Sequence, residues 1–495
     1  MRETCPQPQA CSALTVLWSN WNFVNASDAT LEAGFVADET VTAIQARYAK
    51  LSGTLALRPM ADFYASDQKI HLKNPLRITE SDSGFRTVSL TSASSPTLAF
   101  DLVNEDIDSL QVNVSRLETA YSQYAQNSGS SGLGRSLANI GKMASGDMRT
   151  LFTALDWSAP DGHEVSHALD TLGPEAYDAS ARASLAQQSE FNLLILRRML
   201  GNESARRFLS ATSEKQAEAD NWQFWASPYG SGSWQGSHGG TSSWSSNGIG
   251  LLVGADRYFE GGLSLGAHVA VAAKRTHVKG NHDAQTDTKS AFVGLQALLA
   301  PESWDGFGLT AQGRLGIESG EMDREVSFNG YNRLSESRWT GFGKLPTQAR
   351  FAAGPLAFFE YSFLQRPGID ERNGQASRLS VDDTVYESLL MNLGAHAGWT
   401  TSLENGASIG LDLLAVWRHE LLDATFRTGA SFRDYGEYDF KSATNLPGRD
   451  SLLLWGSLRF RHPTSPFFAQ IDFGGEFFRE DYSAIRAGLQ IGWEF

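Results

Sequence analysis

The sequence predicts an all-β transmembrane barrel over residues 221–495, preceded by a helical segment and by a β-rich region at the start of the chain. Three observations predict it: glycine and tryptophan become frequent after residue 220, apolar and polar residues then alternate over membrane-length stretches, and the alternation continues to the last residue. A tilted strand crosses a membrane in about 9–11 residues, and lipid-facing and lumen-facing side chains alternate along it.

The composition narrows the classes of protein to be considered. Of the 495 residues, 41% are hydrophobic and 20% are charged. No run of about 18 or more apolar residues occurs, which excludes a bundle of transmembrane helices. The net charge of −15 opposes binding to nucleic-acid phosphates, so DNA and RNA are not predicted partners. Cys5 and Cys11, the two cysteines, supply neither a disulfide framework nor a multi-cysteine metal site.

Glycine and tryptophan mark the boundary of the predicted barrel. Residues 1–220 contain 11 of the 47 glycines and 3 of the 13 tryptophans, and all the others follow residue 220. Helix interiors disfavour so much glycine, whereas curved sheets use glycine at bends and at close approaches of backbone. The 275 residues from 221 to 495 are therefore assigned to one β architecture.

Four stretches show the alternation most clearly. The segments 263–273, 307–317, 407–417 and 469–477 place apolar side chains on one face and small or polar side chains on the other. In a soluble β-sandwich, the alternative, the apolar face would be the core, and Lys and Glu would crowd the outer face. Here the second face carries Gly, Ser, Gln and scattered charges, which favours a wet lumen and a lipid-facing exterior.

The charged residues on the polar face are predicted to form ion pairs inside the lumen, and no catalytic set can be argued from their spacing. The lumen ion-pair candidates are Asp256, Arg314, Asp412, Arg459, Glu476 and Arg486.

Several segments resemble those of one known family. NWQFWASPYGSGSWQ (221–235) is similar to its first strand, GIGLLVGADRYFEGGLSLGAHVAVA (248–272) to its second and third strands, and AGLQIGWEF (487–495) to its closing strand. Residues 117–129 and 168–199 resemble the helical junction that precedes the barrel. The family is that of the classical autotransporters, the type V secretion proteins of Gram-negative outer membranes.

The resemblance implies a barrel of twelve antiparallel strands with a helix threaded through its pore, which we expect near 203–219. It implies a monomeric barrel in contact with outer-membrane lipid, assembled with the help of periplasmic chaperones and the barrel-assembly machinery. The implied function is to anchor and export an N-terminal passenger, with no cofactor, metal or catalytic residue. We expect the assembly signal on the outer face of the last strand, at Leu489, Ile491, Trp493 and Phe495.

The first 220 residues divide into two predicted parts. Residues 1–115 hold short β-like pieces between turn formers, and we expect the end of a parallel β-helix, the remnant of a passenger at the cell surface. Residues 116–220 are expected to hold the helical junction and the pore-threading segment, with an amphipathic helix over 181–200. The start lacks the apolar segment of a secretory signal, so we expect a fragment of a longer protein.

Two other functions stay open. A diffusive porin would share the barrel but would need an open lumen. A zinc peptidase is suggested by His163-Glu164-Val165-Ser166-His167, because H-E-x-x-H on a helix places two imidazoles one turn apart, with the Glu as general base. The metal-binding continuation is absent, since Asp170 occupies its glycine position, and the sequence favours ordinary polar positions on a helix.

Overall fold

The computed structural model of the chain describes residues 16–37, 43–72, 76–81, 84–106, 109–212, 222–279, 283–304, 308–345, 354–403, 405–423, 425–445, 448–462 and 465–494. In this part of the chain, no α-helix combines the length and the apolar character that crossing a membrane requires.

Two stacks of parallel strands form the N-terminal region. Its strands are β1 (Val16–Val24), β2 (Thr30–Phe35), β3 (Ala43–Lys50), β4 (Thr54–Pro59), β5 (Lys69–His71), β6 (Leu76–Ser81), β7 (Thr87–Leu90), β8 (Ala99–Asn104) and β9 (Gln111–Ser115). Strands β1, β3 and β6 pair in parallel in one sheet, and β2, β4 and β7 pair in parallel in another. Successive coils of a β-helix have this arrangement, and the antiparallel sheet β5-β9-β8 follows it.

Four α-helices connect this region to the C-terminal sheet: α1 (Ser128–Ile140), α2 (Asp147–Asp156), α3 (His163–Leu172) and α4 (Glu175–Thr212). Helix α1 begins at a reciprocal cap, in which the Asn127 side chain accepts from the Ser130 N–H and the Ser130 hydroxyl accepts from the Asn127 N–H. The apolar faces of α1–α3 share one core with Phe63 of the N-terminal region and with loops of the C-terminal sheet.

The C-terminal region is a closed antiparallel barrel. Its strands are β10 (Trp222–Gln235), β11 (Trp244–Tyr258), β12 (Leu263–Val278), β13 (Asp283–Leu299), β14 (Leu309–Phe328), β15 (Tyr331–Leu345), β16 (Gly354–Arg366), β20 (Thr384–Ser402), β21 (Ser408–Glu420), β24 (Asp450–Arg461), β25 (Phe467–Arg479) and β26 (Tyr482–Glu494). Five short strands lie between them: β17 (Ile369–Asp370), β18 (Arg372–Asn373), β19 (Leu379–Val381), β22 (Gly429–Phe432) and β23 (Phe440–Lys441).

The strand order closes on itself. It runs β14-β13-β12-β11-β10-β26-β25-β24-β21-β20-β16-β15-β18, and pairing of β14 with β15 completes the ring. The sheet thus has thirteen strands where the sequence resemblance implied twelve, and the two-residue β18 pairs with β15 beside the ring. The first and last barrel strands, β10 and β26, are neighbours.

Exposure alternates along the barrel strands as the sequence pattern predicts. On β12, Leu265, Val269 and Val271 point outward and are exposed, while His268 and Ala270 point inward and are buried. The outward apolar side chains form a continuous band around the barrel, which is the surface that a transmembrane barrel presents to lipid. The period-two pattern therefore gave the correct facing of the strands.

One end of the barrel is covered by helices α1–α3, and we call it the capped end. The Ser136 hydroxyl donates to the Tyr438 carbonyl at 2.7 Å, and the Asn329 amide donates to the Ala154 carbonyl at 2.6 Å. The loops 367–383 and 421–449 fold over the same opening and pair through β17, β19, β22 and β23.

A buried ion pair joins the N-terminal region to the cap. The Asp156 carboxylate of α2 accepts from the Thr97 hydroxyl at 2.6 Å, from the Tyr121 hydroxyl at 2.5 Å and from the Arg116 guanidinium. Burial raises the pKa of the Tyr121 hydroxyl far above its ordinary value, and the adjacent carboxylate adds to this. The N-terminal region is therefore held on the cap by specific polar contacts, which we call the Asp156 joint.

Candidate functional site

Helix α4 runs through the interior of the barrel. Residues 175–200 of the helix are buried, apart from a partly exposed Ala186, and at about 1.5 Å per residue they span about 39 Å. The Phe191 ring lies 5.4 Å from the Tyr229 ring of β10 and 5.6 Å from the Phe292 ring of β13. The same apolar cluster includes residues of β16, β21, β24 and β25, so strands on every side of the barrel contact the helix.

The first turns of α4 bind the loops of the capped end. The fully buried Asp178 carboxylate has no guanidinium or ammonium hydrogen bonded to it among the described residues and accepts from four hydroxyl groups at 2.5–3.2 Å. These donors are Tyr386, Thr428, Ser442 and Thr444. One turn later, the Arg182 guanidinium donates to the Thr444 carbonyl at 2.6 Å and lies 4.1 Å from the Phe426 ring. Helix α4 therefore holds loop 421–449 in place.

The other loop of the capped end is fixed by a second buried ion pair. The Arg324 guanidinium of β14 donates to both oxygens of Glu371 at 2.9 and 2.6 Å, and the Tyr177 hydroxyl of α4 donates to the same carboxylate at 3.0 Å. Arg324 also donates to the Thr171 carbonyl at 2.9 Å. Loop 367–383 is thus tied to the barrel wall and to two helices.

The middle of the lumen contains a buried cluster centred on Arg418 of β21. Its guanidinium donates to Glu360 at 2.7 Å and to Glu476 at 2.9 Å, on strands β16 and β25. It also donates to the Ser189 hydroxyl of α4 at 2.7 Å, and the Asn192 amide of α4 donates to Glu360 at 2.7 Å. The Arg418 guanidinium therefore bridges two wall carboxylates and contacts the helix, and Glu476 also lies 3.6 Å from Arg479 and 3.9 Å from Arg486.

The last described turns of α4 bind the wall through two consecutive arginines. Arg197 lies 2.9 Å from the Asp472 carboxylate of β25. Arg198 donates to the Asp256 carboxylate of β11 at 2.6 Å and to the Gln223 side chain of β10 at 2.6 Å. Both guanidinium groups are buried away from water, so the carboxylates stabilise their positive charges in place of solvent.

All six lumen residues singled out from the sequence lie on the inner face and are buried. The contacts of four of them are as follows: Asp256 with Arg198, Glu476 with Arg418, Arg486 at 3.3 Å from Glu190, and Arg314 with the Gln188 carbonyl at 2.9 Å. Asp412 and Arg459 bind wall residues, His396 at 3.3 Å and Gln470 at 2.7 Å. The sequence analysis did not predict that residues of α4 would be the partners of these lumen residues. The charged residues within the amphipathic helix were a signal for such contacts.

The helix occupies the lumen earlier in the chain than the sequence predicted. The expected threaded segment, 203–219, begins after the buried stretch 175–200. The helix extends to Thr212, its side chains are described only up to residue 200, and residues 213–221 lie outside the described part of the chain.

Strand β26 carries the residues predicted as the assembly signal. Leu489 and Trp493 point outward and are exposed, and Ile491 is half-buried on the same face. Phe495 lies outside the described residues. The strand pairs with β10 on one side and with β25 on the other.

The possible zinc motif lies on α3 in the cap. Its Val165 belongs to the apolar core of the cap, while His163 is exposed at the first position of the helix. Among the described residues, the one group of three side chains close enough together to share a metal ion is His238, Glu480 and Asp481, on the rim of the capped end. The two histidines and the glutamate of the motif belong to no such group among the described residues.

Protonation of the Asp147 carboxylate at low pH should destabilise the cap. Burial acts to raise the pKa of this α2 carboxyl, but hydrogen bonds from Arg333, from Tyr331 at 2.8 Å and from the Ala376 N–H outweigh burial and lower the pKa. Stabilisation by Asp147 is then complete above about pH 3.9 and is lost as the pH falls through the lowered value. We expect Asp147→Asn to lower the Tm of the detergent-solubilised chain at pH 7 and to matter less at pH 3. An equal Tm difference at both pH values would contradict this assignment.

Comparison with known proteins identifies the barrel. The family model of the autotransporter beta-domain matches residues 224–464. No curated protein matches the chain.

Similar solved structures include three translocator barrels. The translocator domain of the autotransporter NalP from Neisseria meningitidis is 13% identical, covers 65% of this chain and 99% of its own, and has a TM-score of 0.44. The transport unit of AIDA-I from Escherichia coli is 14% identical, with 60% and 99% covered and a TM-score of 0.35. The beta domain of the Bordetella autotransporter BrkA is 14% identical, with 55% and 99% covered and a TM-score of 0.36.

The family match covers the alternating strands from β10 to β24, and β25 and β26 follow it and close the barrel around α4. The C-terminal barrel of this chain therefore belongs to the autotransporter beta-domain family, the outer-membrane translocators of type V secretion in Gram-negative bacteria.

Proposed function

We propose that the chain anchors, exports and displays an N-terminal β-helical passenger, of which residues 1–115 are the part nearest the membrane. The observation that carries the proposal is the path of α4, which leads from the cap through the lumen toward the start of β10. A segment that enters the barrel at one end and continues into its first strand at the other has the connectivity of an export tether. We accordingly divide the chain into a passenger remnant (1–115), a junction and pore segment (116–220) and a barrel (221–495).

We place the capped end at the cell surface. Transmembrane barrels have short turns on the periplasmic side and longer loops outside. The long loops 367–383 and 421–449 lie at the capped end, whereas the opposite end has short turns such as 259–262 and 403–407. The beginning of β10 and the end of β26 then lie on the periplasmic side.

Surface display can be tested with two epitope insertions. Gly84 in the N-terminal region is exposed and has open space around its α-carbon, and so does Gly261 in a turn at the opposite end of the barrel. An epitope after Gly84 should be stained by antibody on intact cells, whereas one after Gly261 should be stained only after permeabilisation. The reverse pattern, or equal staining of both, would contradict the proposed orientation.

We further propose that Leu489, Ile491, Trp493 and Phe495 form the signal read by the barrel-assembly machinery, after periplasmic chaperones have delivered the chain. Trp493 points outward in the last strand and packs edge-on against the Phe467 ring of β25 at 5.6 Å, and much of its own ring stays exposed, where another protein could bind it. Trp493→Ser should therefore reduce the assembled, heat-modifiable fraction in outer membranes several-fold. Trp399→Ser is the matched control, because Trp399 is also outward and exposed but lies on β20. Equal losses in both variants would mean that Trp493 contributes only lipid contact.

In this proposal the barrel is a scaffold and not a catalyst. The lumen acids are engaged by arginines, by hydroxyl groups or by amides, as the Arg418 cluster illustrates. An open porin is disfavoured because the pore contains α4 and its end is covered.

A further inference from the structure

The junction between the first and last barrel strands differs from the hairpins of the barrel. Strands β10 and β26 lie at opposite ends of the barrel sequence, so no short turn connects them. Their pairing in the described residues runs from Gln223 with Glu494 to Gln235 with Tyr482, but no pair forms at Ser227 and Pro228. Proline has no N–H to donate to a neighbouring strand. This junction, which we call the seam, thus depends on an interrupted set of backbone hydrogen bonds.

The arginine pair of α4 lies directly behind the seam. The Arg198 guanidinium binds Gln223 on β10 and Asp256 on β11, and it lies 4.5 Å from the Trp225 ring of β10. The same guanidinium lies 5.8 Å from the Phe468 ring of β25, on the other side of the seam.

Arg197 extends the contact away from β10 and β11. Its guanidinium lies 2.9 Å from Asp472 of β25 and 4.2 Å from the Trp455 ring of β24. About two turns earlier on α4, Glu190 lies 3.3 Å from Arg486 of β26. Arg198 and Arg197 therefore bind carboxylates on opposite sides of the seam, on β11 and β25. Glu190 contacts β26, the last strand, which lies between them.

These contacts make separation of the seam unfavourable. If β10 and β26 moved apart, α4 could follow only one side, and a buried guanidinium would lose its carboxylate on the other. Leaving a buried charge without its partner is strongly destabilising. The barrel wall would therefore be held together by the helix as well as by its own hydrogen bonds.

We propose that Arg197 and Arg198 clamp the seam, so that the barrel closes stably only when α4 is in the lumen. The two arginines act as positioning residues for the first and last strands. The inference concerns closure of the barrel, so it stands whether or not a passenger is exported. It also implies that the helix is in place when the last strand joins the first.

Amide hydrogen exchange of the full chain in detergent tests the clamp. In the double variant Arg197→Gln/Arg198→Gln, we expect exchange in 222–235 and 482–494 to accelerate on the order of tenfold, with 283–299 unchanged. Arg314→Gln is the matched control, because Arg314 is a buried lumen arginine that binds α4 from β14, away from the seam. In the Arg314→Gln variant, amide exchange in the seam strands should not increase. A uniform increase over all strands in the double variant, or none, would overturn the proposal.

A disulfide across the seam gives a second test that holds even if the double variant folds poorly. Gly230 and Ala487 are registered partners on the outer face of the seam, outside the proposed assembly signal, and a Cβ at Gly230 has room. With Cys5 and Cys11 replaced by serine, Gly230→Cys and Ala487→Cys would be oxidised to bridge β10 and β26. The bridge should restore the folded, heat-modifiable form of the double variant under oxidising conditions and not under reducing ones. No restoration would show that the arginines act elsewhere than at the seam.

Discussion

Replacing Arg418 with methionine is expected to lower the free energy of unfolding by about 3–5 kcal/mol, because the buried Glu360 loses its cation and Glu476 keeps only the more distant Arg479 and Arg486. Glu360 and Glu476 are both in the lumen, and each accepts a hydrogen bond of 2.9 Å or less from the Arg418 guanidinium. Methionine fills part of the space but donates no hydrogen bond. Denaturant unfolding of the detergent-solubilised chain, followed by tryptophan fluorescence, measures the loss.

The control for Arg418 is an arginine whose ion pair is exposed. Arg338 pairs with Glu321 on the outer surface of β15 and β14, and exposed pairs contribute at most about 1 kcal/mol. Arg338→Met should therefore have little effect. Adding Glu360→Gln to Arg418→Met should recover much of the loss, since the carboxylate that lost its cation is then neutral, while Glu476 keeps Arg479 and Arg486. Equal effects of the two arginine variants would mean that the lumen cluster is solvated.

Removal of α4 is expected to convert a closed barrel into an open pore. The full chain should show no steady conductance in planar bilayers, because the helix occupies the lumen and the cap covers one end. A variant without residues 1–212 should conduct through an opening of about 10 Å, the width of the helix that it lacks. The seam disulfide between positions 230 and 487 would keep this emptied barrel closed at its wall during the measurement.

The same measurement separates the translocator from a porin. A porin would pass a large, steady current as the full chain, and removing the helix would change that current little. Liposome swelling provides an independent reading, because small sugars should enter only vesicles that contain the variant without α4. Steady permeability of the full chain would contradict the plugged arrangement.

The outward faces of the strands were predictable because one rule governs all of them. Leu265, Val269 and Val271 all lie exposed on the outward face, which a transmembrane barrel turns to lipid, so an apolar residue at every second position is sufficient wherever the strand lies in the ring. The inner contacts obey no such rule. Arg418 binds Glu360 and Glu476, each 58 residues away along the chain, and only the order and register of the strands bring them together.

The position of the threaded segment could not be found from polarity. The resemblance implied a threaded helix near 203–219, and that segment is rich in charged and polar residues, which would suit a wholly polar lumen. The lumen wall instead carries Trp225, Tyr229 and Phe292 beside its charges, and Phe191 of α4 packs among these rings. A helix with a mixed surface therefore suits this interior, and such a helix looks from its sequence like any amphipathic helix.

The Asp156 joint determines how mechanical force would travel through the molecule. A drag on the domain outside the cell would first load the bonds between Arg116, Tyr121 and Asp156, and then the contacts of the cap with the barrel rim. The backbone of α4 lies behind these contacts and would be unloaded until they fail. Shear at the bacterial surface would thus be borne by the rim of the barrel before it could pull the helix out of the pore.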